Sequence, residues 1–214
     1  MERLWCILIG YAFGCIQTSY IVGKLTRNID IRDYGSGNSG ATNAIRVLGT
    51  QTGLLCMVGD IVKGILALMT VSLLYGYGAK YLLLYTGVGA VLGHNFPFYM
   101  GFRGGKGVAV TIGIMALLDW RIFLIAGIPS LVLLAIFRYM SLASLTFVTI
   151  FPICTAIFYL SAPHGLEVTL LSLFFTVMIY WRHKGNIKRL IAGTERKVGE
   201  KVKIRKEDEK NAAK

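Results

Sequence analysis

The chain has 214 residues, of which 55% are hydrophobic and only 16% are charged, and its mean hydropathy is +0.60. These values exclude an ordinary soluble domain and indicate an integral membrane protein. The formal net charge is +12. In so apolar a chain this surplus favours an anionic membrane face or an anionic substrate, and we expect no nucleic-acid partner.

The apolar runs, taken in chain order, predict an all-α integral membrane fold. Residues 4–23 form an uncharged run long enough to span a bilayer, which we interpret as a retained first helix and not a cleaved signal peptide. Further runs follow at about 53–77, 81–93, 107–118, 122–137, 139–160 and 166–181. They predict a seven-transmembrane-helix bundle in which the short runs 81–93 and 107–118 are tilted, extended by polar neighbours or re-entrant. Five or six spans remain alternatives.

The distribution of Lys and Arg predicts the orientation of the chain. Twelve of them lie between Arg182 and the C-terminus, and the segments after spans 1, 3 and 5 also carry them. The other side receives only Arg3, Lys80 and Arg121. Because cytoplasmic loops are rich in Lys and Arg, we expect an outside N-terminus, a cytoplasmic C-terminus and an odd number of spans. Residues 1–192 would form the membrane domain and residues 193–214 a basic cytoplasmic tail.

Three polar, glycine-rich insertions interrupt the apolar pattern on the predicted cytoplasmic side. They read "RDYGSGNSGATNAIRVLG" (32–49), "GHNFPFYMGFRGGKGVA" (93–109) and "HKGNIKRLIAGTERKVG" (183–199). Glycine permits positive φ and close backbone approach, consecutive N–H groups in such turns bind anions, and a helix that starts after the loop adds its dipole. The insertions therefore favour phosphate binding, while no motif for a nucleotide, metal or other cofactor occurs.

Two features have both a structural and a functional interpretation. Asp60 and Lys63 lie three residues apart in the second run, and so on one helix face. They are either a functional pair or a pair that docks the helix. His94 and His164 are most simply structural or interfacial, whereas basic and amide groups surround His183, so a direct role and a structural role both stay open for it.

Together these segments resemble the bacterial membrane acyl-phosphate:glycerol-3-phosphate acyltransferase family, the PlsY type. The likeness covers "GSGNSGATNAIRVLG", "DIVKG", "GHNFPFYMGFRGGKGVA" and "HKGNIKRLIAGTE". It implies a multi-pass protein of the bacterial cytoplasmic (inner) membrane with cytosol-facing motif loops. The implied reaction moves a fatty acyl group from acyl phosphate to the 1-position of glycerol 3-phosphate. Lysophosphatidic acid and inorganic phosphate are its products, in phospholipid biosynthesis. A functional link to the soluble enzyme that makes acyl phosphate would follow.

The resemblance also implies residue roles. Ser36 and Arg46 match an essential polar pair, the glycines around Lys106 a glycerol-3-phosphate loop, His183 and Asn186 an activity-determining pair, and Glu195 a structural acid. With the loop amides and cations that the chemistry calls for, three sets result. The candidate catalytic residues are Ser36, Arg46, His183 and Asn186. The candidate substrate-binding residues are Gly35, Gly37, Asn38, Ser39, Asn43, Arg103, Gly104, Gly105, Lys106, Gly107, Lys188 and Arg189. The candidate structural residues are Asp60, Lys63 and Glu195, and no metal ligand is predicted.

The reaction places few demands on covalent chemistry. An acyl phosphate is a mixed anhydride whose phosphate departs easily, so orientation, oxyanion stabilisation and proton removal are what remain. Either His183 or the donor phosphate would take the proton, and we favour a positioning role for His183. No histidine has an acid five residues later, as acyl-CoA-dependent enzymes typically do, which favours acyl phosphate as donor. The rival interpretations are a small organic-phosphate transporter and a non-enzymatic lipid-binding protein.

Overall fold

The computed structural model describes residues 1–200, so most of the predicted tail, residues 201–214, lies outside the described residues. The described part is helical and contains no strand, which confirms the all-α class. The helices are α1 Glu2–Gly14, α2 Thr18–Arg27, α3 Ala41–Leu48, α4 Thr50–Tyr75, α5 Lys80–Asn95, α6 Val108–Leu118, α7 Trp120–Phe137, α8 Met140–Tyr159, α9 Gly165–Arg182 and α10 Lys184–Ile191, with short 3₁₀ turns at Ile31–Asp33 and Phe98–Met100.

Each predicted apolar run is helical, but the runs differ in their capacity to cross a bilayer. Five segments within residues 1–200 are long and apolar enough: Glu2–Arg27, Thr50–Tyr75, Trp120–Phe137, Met140–Tyr159 and Gly165–Arg182. Helices α5 and α6 have only 16 and 11 residues. At about 1.5 Å per residue α6 is roughly 16 Å long, about half of the hydrocarbon thickness. Seven crossings therefore stay a prediction.

The first span is broken, where the sequence predicts one continuous helix. Helix α1 ends at Gly14 and α2 begins at Thr18. A break inside a membrane helix frees backbone groups that other parts of the protein must satisfy. Lys63 of α4 does this by donating to the Ile16 carbonyl at 2.5 Å, and the Gln17 side chain turns inward and is fully buried.

Helices α1 and α5 pack through glycines spaced four residues apart. A Cβ atom on Gly10 or Gly14 of α1 would overlap the Thr86 or Ala90 carbonyl, and one on Gly89 or Gly93 of α5 would overlap a carbonyl of α1. Small residues at this spacing let two membrane helices approach to backbone contact. The packing fixes the end of α5, which leads into the second insertion.

Most charged groups lie at the two ends of the bundle, and its interior is largely apolar apart from a few buried polar side chains such as Asp60 and Lys63. Phe151, Phe175, Ile114 and Leu83 are among the fully buried side chains between the helices. At one end Arg3 pairs with Glu167 at 2.7 Å. The three insertions meet at the opposite end.

Candidate active site

A cavity of about 580 Å³ opens where the three insertions meet. Its wall contains residues of the first insertion and α3, of α4, of the loop that leads into α6, of α8, and of the segment from Arg182 to Arg196. Segments that are separated by more than a hundred residues thus line one space, as the phosphate-binding interpretation requires.

The insertions are held together by hydrogen bonds to backbone carbonyls. Asn38 Nδ2 donates to the Gly104 carbonyl at 3.2 Å, and Arg182 Nη2 donates to the same carbonyl at 3.0 Å. A second, buried link runs from Ser39 Oγ to Gln17 Oε1 at 2.8 Å and from Gln17 Nε2 to the His94 carbonyl at 3.0 Å. The broken first span therefore connects the first two insertions.

The first insertion contains a short helix, α3, whose N-terminus lies at the cavity, whereas the sequence predicts a helix that starts after the loop. Gly40 caps α3, and Ala41 and Thr42 of its first turn line the cavity. The first N–H groups of a helix lack intrahelical partners and favour an anion. Asn43 is buried and holds the loop, because its amide donates to the Ile31 and Tyr34 carbonyls and accepts from the Ser36 N–H.

Ser36 and Arg46, the predicted polar pair, both line the cavity. The Ser36 hydroxyl and the Arg46 guanidinium make no hydrogen bond to another of the residues 1–200, so both remain available to a ligand. Gly35 also lines the cavity, whereas Gly37 does not. Both glycines have positive φ, 66° and 70°, which an L side chain rarely adopts.

In the second insertion the glycines shape the loop around His94. Gly104 N–H donates to the Asn95 carbonyl and Gly105 N–H to the His94 carbonyl, each at 3.0 Å. A Cβ atom on Gly104 would overlap the His94 carbonyl, and one on Gly105 would overlap the His94 ring. These two glycines are thus explained by packing and do not line the cavity. Gly107, with φ of 87°, lines it and caps α6.

Lys106 is held over the cavity by the third insertion. Its Nζ donates to Asn186 Oδ1 at 2.5 Å, and Asn186 Nδ2 donates to Glu195 Oε1 at 2.6 Å. Glu195 also accepts from Ser141 at 3.0 Å and from Arg189 at 2.7 Å. The carboxylate therefore orients the amide, whose oxygen then faces the ammonium group.

Burial and these contacts shift the ionisation of the cluster. Burial lowers the pKa of Lys106 to about 8, and the Glu195 carboxylate offsets this effect only in part. Burial raises the pKa of Glu195, but the hydrogen bonds from Asn186, Arg189 and Ser141 outweigh it, so the net direction is downward. At neutral pH the site thus holds a charged Lys106 beside an ionised Glu195.

His183 is buried at the end of α9 and lines the cavity. Its Nδ1 lies 2.8 Å from the Ile179 carbonyl. Because a carbonyl only accepts, Nδ1 carries the proton and Nε2 is an acceptor in the neutral ring. Burial, with Lys106 nearby, lowers the pKa of His183 to about 4. The ring is therefore neutral at pH 7.

Asp60 and Lys63 form a buried ion pair, with Nζ and Oδ1 2.8 Å apart. Asp60 Oδ1 also accepts from Thr18 at 3.1 Å. Lys63 Nζ lies 2.9 Å from His94 Nδ1. Asp60 lines the cavity and Lys63 does not. Through Thr18 and the Ile16 carbonyl, the pair also docks α4 against the broken first span.

The structure divides the sequence-predicted residues into two groups. Those that line the cavity are Gly35, Ser36, Asn38, Asn43, Arg46, Asp60, Lys106, Gly107, His183, Asn186, Arg189 and Glu195. Those that do not line it are Gly37, Ser39, Lys63, Arg103, Gly104, Gly105 and Lys188. Arg103 and Gly37 border a separate depression of about 420 Å³ with Arg32.

Several lining residues were not among the sequence candidates. They are Arg182, Lys184, Arg196, Ser141 and His94. The three cations lie in or beside the third insertion, and their proximity to His183 was the available signal. Ser141 has no such signal, because it enters from α8. Within residues 1–200 no group of three or more His, Cys, Asp and Glu side chains could hold a metal ion.

Comparison with known proteins identifies the family of the chain. A sequence model of the glycerol-3-phosphate acyltransferase family matches residues 4–193. A glycerol-3-phosphate acyltransferase of Alkaliphilus metalliredigens is 43% identical over 205 residues, which cover 95% of this chain and 100% of the relative. The one from Halalkalibacterium halodurans is 40% identical over 202 residues, which cover 94% and 98%.

A solved structure shares the fold. The crystal structure of PlsY, an integral membrane glycerol 3-phosphate acyltransferase, in its glycerol 3-phosphate form superposes with a TM-score of 0.83 at 32% identity, covering 93% of this chain and 96% of that one. Its lysophosphatidic acid form gives a TM-score of 0.79.

The helical membrane fold and these matches define an integral membrane acyltransferase. More particularly, the chain belongs to the glycerol-3-phosphate acyltransferase family of the PlsY type.

Proposed function

We propose that this enzyme transfers a fatty acyl group from acyl phosphate to the 1-hydroxyl of glycerol 3-phosphate. The products are lysophosphatidic acid and inorganic phosphate. The reaction takes place at the cytoplasmic face of the bacterial inner membrane, with the N-terminus outside and the C-terminus inside. The observation that carries the proposal is the cavity, in which cations from all three insertions face one space.

Electrostatics explains why so many cations are needed. Two dianionic phosphates about 6 Å apart repel by roughly 3 kcal/mol even at the dielectric constant of water, and more in a drier site. Six lining side chains are Lys or Arg: Arg46, Lys106, Arg182, Lys184, Arg189 and Arg196. The first turns of α3 and α6 add N–H groups at the same wall. These groups allow both substrates to bind together.

The lining residues favour direct transfer over an acyl-enzyme. No cysteine lines the cavity. Among residues 1–200 no hydrogen bond joins any of the three lining serines to a histidine. Ser141 and Ser144 donate to Glu195 and to the Met140 carbonyl, and the Ser36 hydroxyl has no partner there. A serine nucleophile needs such a base. The mixed anhydride is reactive enough to be attacked by the glycerol hydroxyl itself.

His183 suits the hydroxyl that attacks. Its Nε2 accepts a hydrogen bond and aims the oxygen at the carbonyl carbon, but with a pKa of about 4 it is a weak base at neutral pH. The donor's phosphate becomes more basic as the anhydride breaks and takes the proton. Apolar residues of the wall, Met57, Ile112 and Met140, would contact the first carbons of the acyl chain.

The test is an assay of the purified protein in detergent with acyl phosphate and glycerol 3-phosphate, in which both products are quantified. We expect turnover with acyl phosphate and none when acyl-CoA is the only donor. Lys106→Ala should chiefly raise the KM for glycerol 3-phosphate. Lys24→Ala, an exposed cation of α2 outside the cavity, is the matched control. Efficient transfer from acyl-CoA would overturn the donor assignment, and absence of any turnover would leave transport or lipid binding as the function.

A further inference from the structure

A second histidine, His94, reaches the cavity from the end of α5. Its side chain is about 3% exposed, and it takes no part in the chemistry described so far. A lone buried histidine in a membrane protein is usually a structural residue. The atoms around its ring show that Nδ1 is held by the protein, while Nε2 is free to bind a ligand.

Lys63 determines which nitrogen of His94 carries the proton. An ammonium group has three N–H donors and no acceptor. The three acceptors around Lys63 Nζ are Asp60 Oδ1 at 2.8 Å, the Ile16 carbonyl at 2.5 Å and His94 Nδ1 at 2.9 Å. His94 Nδ1 must therefore accept, so the neutral ring carries its proton on Nε2.

The Nε2–H group has no partner among residues 1–200. The Nε2 edge of the ring lies against Gly105, where a Cβ atom would overlap Nε2. None of the residues 1–200 accepts a hydrogen bond from Nε2, whereas the residue contributes to the cavity wall. Nε2 is not among the fully buried side-chain atoms without a partner in residues 1–200, which are Ser19 Oγ, Asp60 Oδ2 and the two amide atoms of Asn95. The N–H group therefore keeps access to the cavity and is suited to an acceptor that enters with the ligand.

The charge of the cavity indicates what kind of acceptor that is. Of the two lining carboxylates, Asp60 is paired with Lys63 and Glu195 with Arg189. Arg189 is one of the six lining Lys and Arg side chains named above, and the other five leave the cavity strongly positive. The start of α6, at Gly107 and Val108, lies in the same wall. An oxygen that enters beside His94 is thus an anionic phosphoryl oxygen.

We propose that His94 is a substrate-binding residue whose Nε2–H donates to a phosphoryl oxygen of a bound substrate, and that Lys63 and Asp60 are positioning residues that hold its tautomer. The inference rests on the proposed function for the identity of the phosphate esters, but not for the binding of phosphate itself. It also gives the buried Asp60–Lys63 pair a purpose beyond docking α4.

Two substitutions distinguish the loss of the Nε2–H donor from the change in side-chain size. His94→Asn keeps an oxygen that accepts from Lys63 and loses the Nε2 donor, whereas His94→Gln places an amide N–H near the Nε2 position. A hydrogen bond to a charged group contributes about 1.5–3 kcal/mol. We therefore expect His94→Asn to weaken binding of inorganic phosphate about 10- to 100-fold, measured by calorimetry in detergent. His94→Gln should stay within about fivefold of wild type. His164→Asn, a histidine at the opposite end of the bundle, is the control.

Kinetics assign the phosphate. A higher KM for glycerol 3-phosphate alone in His94→Asn assigns the bond to the acceptor substrate, and a higher KM for acyl phosphate alone assigns it to the donor. Unchanged phosphate affinity in a folded His94→Asn protein would overturn the inference, even if the wild-type enzyme turns over as the proposed function requires. A wild-type protein that binds phosphate through His94 but transfers no acyl group would refute the proposed function instead.

Nuclear magnetic resonance of ¹⁵N-histidine-labelled wild type tests the same point without a variant. We expect His94 to remain protonated on Nε2 between pH 6 and 8, and its Nε2 resonance to shift when inorganic phosphate is added. Protonation on Nδ1, or an Nε2 resonance that does not respond to phosphate, would contradict the proposal. This measurement decides the question if the substitutions prevent folding.

Discussion

Lys106 should impose an alkaline limit on the reaction at an unusually low pH. Its pKa is lowered to about 8 by burial, against about 10.4 for an unperturbed lysine. The sign follows from the charge: the protonated form attracts phosphate, it predominates below pH 8, and it is lost as the pH rises through 8. One pH unit above the pKa only about a tenth of the free enzyme retains the cation. Because about half of Lys106 is protonated at pH 8, we expect kcat/KM to fall about fivefold between pH 8 and pH 9 and about tenfold per pH unit above that.

The profile of kcat should behave differently from that of kcat/KM. The former reports the enzyme–substrate complex and the latter the free enzyme. A bound dianion stabilises the ammonium form, so the pKa of Lys106 rises in the complex and the kcat limb moves to higher pH. The assay is release of inorganic phosphate from acyl phosphate at several pH values, with correction for non-enzymatic hydrolysis.

Lys106→Arg provides the control, because arginine stays charged throughout this range. The variant should have a lower kcat/KM than wild type, but its kcat/KM should stay constant up to about pH 9.5. A wild-type profile that is flat to pH 9.5, or an identical alkaline limb in Lys106→Arg, would show that the limb belongs to another group. Either result would refute the assignment of the site's pH dependence to Lys106.

Three further predictions follow from the site and the charge distribution. Arg46→Lys should lower kcat/KM by about tenfold or more although it keeps the charge, because an ammonium cannot form the bidentate contact of a guanidinium; near-normal kinetics would mean that Arg46 only faces lipid headgroups. His183 has a pKa of about 4, so it is neutral above that value, and His183→Asn should retain the wild-type pH profile at a reduced rate; loss of an ionisation near pH 6–7 and rescue by imidazole would make His183 the base. Reporter fusions ending at Ala79, Gly104 and Lys214 should read outside, cytoplasm and cytoplasm, and a cytoplasmic signal at Ala79 with an external one at Gly104 would reverse the topology.

The helical membrane fold could be predicted because it depends on hydropathy, which is a local property. Each apolar run from 53–77 to 166–181 became a helix whose bounds differ from the run by a few residues. The break at Cys15–Gln17 could not be predicted in this way, since residues 4–23 are uniformly uncharged. It exists because Lys63, from another helix, binds the carbonyl that the break frees. A hydropathy pattern contains no information about such a partner.

The sequence predicts which segments form the site, but not which of their residues face a ligand and which only hold the loops in place. Lys106, His183 and Asn186 belong to insertions whose charge and glycine content mark them as phosphate loops. The sequence does not distinguish groups that face the cavity from groups that build its wall. Gly104 and Gly105 are required by their contact with His94 and not by a ligand. That contact exists because the loop folds back on the end of α5, where Gly104 and Gly105 donate to the Asn95 and His94 carbonyls.

The two histidines of the cavity illustrate how far local sequence determines chemistry. The proton of His183 is fixed by Ile179, one helical turn earlier, so its tautomer depends on a contact within its own helix. The proton of His94 is fixed by Lys63, which is brought close by α4 and is itself held by Asp60 and the broken first span. The outcomes are opposite: Nε2 accepts in His183 and donates in His94. In the proposed reaction the acceptor of His183 faces the attacking hydroxyl, and the donor of His94 faces a phosphoryl oxygen. Here the donor depends on tertiary contacts among three helices.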